Sequence, residues 1–334
     1  MKINEFRDKV SKAEREDLEK IAAELYKAIP KARKEAETDA LIEDIFEHKD
    51  VKKKKNSAES VNFDTLKKEI EAFLTRVDNN LYYIPNRVVP KSKRSQWRFE
   101  VKSFIKQIDM IPGDGDNGPE SARLLREIYK RLAYGCGYYI FPSDDPFRSV
   151  GIRQPVLYEK MIKRTFASGF EDEKIRNMLL DATTCYIDRQ SLHIELEMIF
   201  AGALNTSDMK YKAIEIIREL VPEYEKKRDA SRPYSSQFYD SARAAEELCE
   251  TFLCIAIMLG EPDEAIGYYW KHAKDSDNEI TLYKLLDTIA LFEDRDLWIM
   301  TYEDALKKKI KPRDYLQEKY RKLTNPSAIT DDQS

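Results

Sequence analysis

Glycine and histidine are scarce in this chain, with 10 and 3 residues respectively among 334. Few glycines favour helices, because each glycine inside a helix costs about 1 kcal/mol relative to alanine. Charged residues make up 35% of the chain, and lysine, glutamate and arginine lose little side-chain freedom in a helix. No segment alternates polar and apolar residues between turn signals. We therefore predict an all-α protein with a helical content above about 60%, against an average of ~30–35%.

Cysteine is also scarce, and long apolar runs are absent. Cys136, Cys185, Cys249 and Cys254 include no CxxC pair, and this pattern is typical of a reducing compartment. The most apolar run, residues 252–259, is shorter than the ~18 residues that a membrane span needs, and the N-terminus has no apolar signal segment. The sequence therefore predicts a cytoplasmic protein that does not associate with membranes.

The motifs of common catalytic and cofactor sites are missing. There is no glycine-rich phosphate loop and no nucleophile beside a base, and Cys185 and His193 have no further ligands at the spacing of a metal site. The net charge of −4 is small for this length, so no overall field attracts nucleic acid or membranes. We therefore predict no catalytic residues, no metal and no cofactor, and we favour a binding protein over an enzyme.

The clearest pattern is a duplication between residues 249 and 306. When the sequence is shifted by 33 residues, apolar positions coincide while the polar residues between them differ, as expected for two units that share their packing. The alternative is two unrelated amphipathic helix pairs that coincide by chance. The matched pairs are Leu253 and Leu286, Ala256 and Ile289, Leu259 and Phe292, Ile266 and Ile299, and Tyr269 and Tyr302.

The first copy has the pattern of a helix pair. Gly260 separates two apolar segments, and Ala265 and Tyr269 follow at regular spacing. This arrangement resembles the tetratricopeptide (TPR) repeat, whose helices turn at a glycine and pack a small residue against the neighbouring helix. The second copy departs from the pattern, with Glu293 in place of the glycine and Trp298 in place of the alanine. A weaker third copy lies upstream, with apolar positions at Phe200, Leu204, Ala213, Ile217 and Leu220.

The resemblance covers about residues 192–306, and it implies stacked helix pairs, that is, a TPR-like α-solenoid. Solenoids present extended concave surfaces, so the resemblance also implies a protein or peptide partner. The oligomeric state is not indicated. The predicted organisation is an N-terminal helical module (1–48), a charged linker (49–62), a central helical region with aromatic and proline-containing loops (63–170), a TPR-like repeat region (171–325) and a tail (326–334).

One loop of the central region combines an aromatic residue with charges. Residues 142–151 contain two prolines and cannot be helical throughout. On a helical scaffold, such loops are typical binding sites. We therefore predict partner contacts at Asp144, Asp145, Phe147 and Arg148. An alternative hypothesis is an enzyme with an acidic site at Asp144 and Asp145, although Asp145 before Pro146 is also a common turn or cap.

The segment 82–106 is strongly basic and supports a further alternative, nucleic-acid binding. In this hypothesis the basic side chains contact phosphates, and the neighbouring Tyr82, Tyr83 and Trp97 stack on bases. Against this hypothesis, Trp97 shares its helical face with Val101, Phe104 and Ile108, which predicts that it is buried in an ordinary amphipathic helix. The candidate nucleic-acid contacts are Arg87, Lys91, Lys93, Arg94, Arg98 and Lys102.

Overall fold

The computed structural model describes residues 9–28, 61–82, 95–273 and 277–325. All regular secondary structure in these residues is helical, which confirms the predicted all-α class. No helix among them is long and apolar enough to cross a membrane. The chain divides into two compact units, Met1–Ser60 and Val61–Ser334. Most of the predicted linker and the whole predicted tail lie outside the described residues.

The first unit contains helix α1 (Arg15–Ala28), whose described side chains are exposed or half-buried. The helices of the second unit are α2 (Phe63–Asp78), α3 (Trp97–Asp109), α4 (Gly118–Gly137), α5 (Pro146–Val150), α6 (Gln154–Phe166), α7 (Asp172–Thr183), α8 (His193–Ala203), α9 (Ser207–Ala230), α10 (Ser236–Leu259), α11 (Pro262–His272), α12 (Asn278–Ala290), α13 (Arg295–Lys307) and α14 (Asp314–Thr324).

Several of these helices begin at a polar side chain that caps them. The Asn62 side chain, for example, accepts a hydrogen bond from the backbone N–H of Thr65 at 3.0 Å, which satisfies one of the amides that a helix start leaves unpaired. Side chains of the same kind fix where other helices start. The further capping residues are Asp145, Thr206, Ser235, Asp277 and Asp294.

The even-numbered helices from α4 to α12 form a row. Helix α4 packs on α6, α6 on α8, α8 on α10, and α10 on α12. The odd-numbered helices α9 and α11 flank α10, and α13 packs on α12. The buried apolar side chains of these helices form one core that extends through the second unit.

An aromatic cluster fixes the loop between α4 and α5. Phe141 lies in this loop and is buried against Trp97, with Phe73 stacked 6.5 Å away. Gly135 allows this approach, because a Cβ atom at residue 135 would lie 2.9 Å from both Phe141 and Pro146. The loop is therefore held in place by core packing, and it positions the residues on either side of it.

Candidate functional site

The four residues predicted to contact a partner lie in different environments. Phe147 is buried beside Tyr129, and Asp145 caps α5 by accepting a hydrogen bond from the backbone N–H of Arg148 at 2.9 Å. Asp144 is exposed and pairs with Arg189 at 2.7 Å. The Arg148 side chain is also exposed. The loop therefore offers Asp144 and Arg148 at its surface, while Asp145 and Phe147 contribute to its internal structure.

Three tyrosines form a cluster next to this loop, and we call Tyr134, Tyr138 and Tyr186 the tyrosine cluster. The Tyr134 and Tyr138 rings are stacked 4.5 Å apart, and Tyr186 meets Tyr138 edge-on at 5.5 Å. Both Tyr134 and Tyr138 remain 46% exposed. Gly137 makes room for the third ring, since a Cβ atom there would lie 2.6 Å from Tyr186. The cluster is thus an exposed but internally packed aromatic surface.

Tyr186 connects the cluster to charged residues of α10. Its hydroxyl donates to the Tyr138 hydroxyl at 3.4 Å. The pKa of Tyr186 is raised to about 12, because this hydrogen bond, burial and the Asp240 charge all disfavour the phenolate, while Arg243 acts in the opposite direction. The tyrosine cluster therefore lies near Asp240 and Arg243.

Arg243 in turn contacts His193 on α8. Its guanidinium Nη1 lies 2.6 Å from His193 Nε2 and donates to the carbonyl oxygen of Cys185 at 3.4 Å. The other ring nitrogen of His193 lies 3.0 Å from the Ala182 carbonyl oxygen. A carbonyl can only accept, so Nδ1 carries the proton and Nε2 accepts from Arg243. Burial lowers the pKa of His193, which further favours this neutral form.

Three glutamates converge between α8 and α10. Glu197, Glu247 and Glu250 each contribute one carboxylate oxygen to a group whose members lie within 4.8 Å of one another. Glu197 is 0% exposed, and burial raises its pKa well above the ordinary value. Burial also raises the pKa of Glu250 to about 7, against the effect of a hydrogen bond from Thr288 at 2.5 Å. Among the described residues, this group is the one whose donor atoms could hold a metal ion.

Sequence reasoning missed both the glutamate group and the exposure of the tyrosines. Glu197 comes from a part of the chain 50 residues before Glu247, and no spacing rule connects the two. The sequence does contain one signal of the buried glutamate. Glu197 is the charged residue within the otherwise apolar segment 196–201, so an acidic side chain faces the core there. Among the aromatic residues of the segment 134–141, Phe141 is buried, while Tyr134, Tyr138 and Tyr139 are exposed.

The basic segment is described only in part. Arg98 and Lys102 are exposed on α3, with the Arg98 guanidinium 4.8 Å from the centre of the Phe99 ring. Trp97 is buried, as its helical phase predicts, and is not available to stack on bases. The other four candidate nucleic-acid contacts, Arg87, Lys91, Lys93 and Arg94, lie outside the described residues.

No protein-family model, curated protein or solved structure matches this chain.

Proposed function

We propose that this protein is a non-enzymatic helical-repeat scaffold that binds a protein or peptide partner. The observation that carries the proposal is the tyrosine cluster, an exposed aromatic surface of mutually packed rings at the C-terminal end of α4. Tyrosine is enriched at protein interfaces because its ring offers a large contact area and its hydroxyl tolerates water. Charged residues lie around the cluster, which agrees with the usual anatomy of an aromatic centre inside a polar rim.

The repeat hypothesis is supported by the burial of the matched positions. Leu253 and Leu286 are both buried, and so are Tyr269 and Tyr302, which lie 33 residues apart. Leu259 and Phe292 are both half-buried. Shared burial at the matched positions is what two units with the same packing would give.

The turns of the two copies share one backbone feature that supports the proposal. Gly260 has a φ of 76° and Glu293 a φ of 54°, so both positions adopt the left-handed conformation. The following helices begin at Pro262 and Arg295, again 33 residues apart. Glutamate at residue 293 therefore adopts a backbone conformation that glycine adopts more readily, so the second copy keeps the left-handed turn residue without the glycine.

The row of even-numbered helices supports the arrangement that the TPR resemblance implies. In a stack of helix pairs, the first helix of each pair contacts the first helix of the next, and these helices line one face. The row from α6 to α12 has this succession. The apolar positions of the weaker third copy, which fall on or just after α8 and on α9, are all buried.

The two alternative functions have less support. Asp144 and Asp145 are engaged by separate partners, Arg189 and the backbone of Arg148, so they do not form a paired acidic site. Burial raises the pKa of Cys136 and of Cys185 to about 12, which disfavours a thiolate nucleophile. Nucleic-acid binding loses two of its three candidate stacking residues, because Tyr82 and Trp97 are buried.

The test compares the captured partners of three purified chains. The chains are the natural protein, the double variant Tyr134→Ser/Tyr138→Ser and the control Tyr315→Ser, which changes a similarly exposed tyrosine on α14. We expect specific proteins to bind the natural chain and the control but not the double variant, and their binding to be reproduced with purified components. Identical capture by all three folded chains would contradict the proposed surface. Turnover of a small molecule that is lost in Asp144→Asn would favour the enzyme instead.

A further inference from the structure

The Glu197 carboxylate is buried beside two other carboxylates, those of Glu247 and Glu250. Its side chain is 0% exposed, and neither oxygen accepts a hydrogen bond from the residues that the structure describes. A buried carboxylate normally has hydrogen bonds, an opposite charge or a coordinated metal, since ionisation without them is strongly unfavourable. Packing alone does not explain a glutamate at this position, because residues 196 and 198–201 of the same helix are apolar.

Glu247 and Glu250 lie on the face of α10 that meets Glu197. Residues three apart project from the same side of a helix, and α8 packs directly on α10. One oxygen of each carboxylate lies within 4.8 Å of the other two. Oxygens that bind Ca²⁺ lie ~2.3–2.6 Å from the ion, so two of them on opposite sides are about 5 Å apart. The three glutamates are therefore close enough to coordinate a single ion.

Two positive side chains lie near this group. Lys284 on α12 forms an ion pair with Glu246 and its charge also acts on Glu250, while Arg243 on α10 contacts His193. Two cations therefore lie close to four glutamates. Other titratable groups that interact electrostatically with these glutamates are Cys254 of α10, Tyr269 of α11, Tyr158 of α6 and His193 of α8. With His193 neutral, none of these four groups supplies a positive charge, so four glutamates face two cations and the region retains an excess of negative charge.

We propose that Glu197, Glu247 and Glu250 form a binding site for one hard divalent cation, represented by Mn²⁺. A donor set made of carboxylate oxygens suits Mg²⁺, Mn²⁺ or Ca²⁺ better than the softer metals, which prefer nitrogen and sulfur ligands. Thr288 donates a hydrogen bond to Glu250 and would hold that carboxylate in orientation, as residues behind metal ligands commonly do. The ion would join α8 to α10 within the even-numbered row. This site is independent of the scaffold function and of the tyrosine cluster.

A proton shared between Glu197 and Glu247 is the competing explanation. A protonated carboxyl group can donate to its neighbour and thereby remove one negative charge. The raised pKa of Glu197 and of Glu250 is compatible with either occupant, because a metal ion and a proton compete for the same oxygens. The two explanations differ in whether the full-length protein binds a divalent ion stoichiometrically.

The experiment measures Mn²⁺ binding to the full chain after treatment with a chelator. Isothermal titration of the natural protein should show one Mn²⁺ per chain, and Mg²⁺ or Ca²⁺ should compete. Glu197→Gln should weaken binding at least about 10-fold, because it removes the negative charge of a ligand. The variant keeps the shape of the side chain. Asp240→Asn is the matched control, since it removes one charge from the exposed part of the same helix as Glu247 and Glu250, and it should change the affinity less than about twofold.

Two results would overturn the proposal. The first is no stoichiometric binding up to about 1 mM Mn²⁺ by a chain whose circular dichroism shows that it is folded. The second is equal binding by the natural protein and by Glu197→Gln. We expect this variant to fold, because the glutamine side chain is buried without a charge. If Glu197→Gln is more stable than the natural chain and neither binds Mn²⁺, the shared proton is the correct explanation.

Discussion

Trp97 stacks on Phe141, with ring centroids 4.2 Å apart and an angle of 21° between the planes. The contact joins the first residue of α3 to the loop that precedes α5. Both side chains are almost completely buried. A residue that could have served to stack on nucleic-acid bases is therefore part of the core that holds the candidate partner loop in place.

Replacing Trp97 with alanine should destabilise the protein by about 3–5 kcal/mol, because it removes a large buried side chain and leaves a cavity. Phe99→Ala is the matched control on the same helix, since Phe99 is 60% exposed and its loss should change the free energy of unfolding by less than ~0.5 kcal/mol. Urea denaturation measures both. Similar values for the two variants would show that Trp97 is not a core residue.

Gly137→Ala should disrupt the tyrosine cluster. The added methyl group would lie 2.6 Å from the Tyr186 ring, and overpacking of this kind typically costs about 1–3 kcal/mol. Near-ultraviolet circular dichroism of the tyrosines and thermal unfolding measure the effect.

Gly267→Ala is the control, because nothing lies within 4 Å of the Cβ position of residue 267 on α11. Alanine should stabilise that helix by about 0.5–1 kcal/mol. If both alanine variants raise the stability, Gly137 is not required for the approach of Tyr186.

The sequence predicts local features of this fold well, because they depend on neighbours along the chain. The phase of Trp97 with Val101 and Phe104 predicts a buried face, and all three are buried. The convergence of Glu197 with Glu247 depends instead on the packing of α8 on α10, which no local pattern encodes. The exposure of Tyr138 has the same origin, since it depends on the path that the chain takes after α4.

The glutamate group should make stability depend on pH when no divalent ion is present. The folded-state pKa of Glu250, about 7, lies above the value of ~4.3 for an unfolded chain. Its contribution to stability is therefore fully present below about pH 4.3 and is lost as the pH rises through about 7. Glu197, whose pKa burial also raises, acts in the same direction.

Comparison with Glu250→Gln isolates this contribution. The natural chain should lose about 1–3 kcal/mol more than the variant between pH 5 and pH 8, measured by urea denaturation with a chelator. His193 has a lowered pKa, so its contribution is present above its unfolded pKa and is lost as the pH falls, opposite in sign to that of Glu250. Because both chains contain His193, its contribution to the pH dependence is absent from the difference between them. Parallel pH profiles for the two chains would contradict the assignment.

The turn at Glu293 offers a test of the proposed repeat. Glu293 adopts a left-handed φ of 54° at the position that corresponds to Gly260, and a side chain costs roughly 1 kcal/mol in this conformation. Glu293→Gly should therefore raise the free energy of unfolding by about 1 kcal/mol, while Gly260→Ala should lower it by a similar amount. Glu318→Gly, within α14, should be destabilising by about 1 kcal/mol because its backbone is helical. If glycine destabilises at residue 293 as it does at residue 318, the two turns are not equivalent and the duplicated-unit hypothesis loses its structural support.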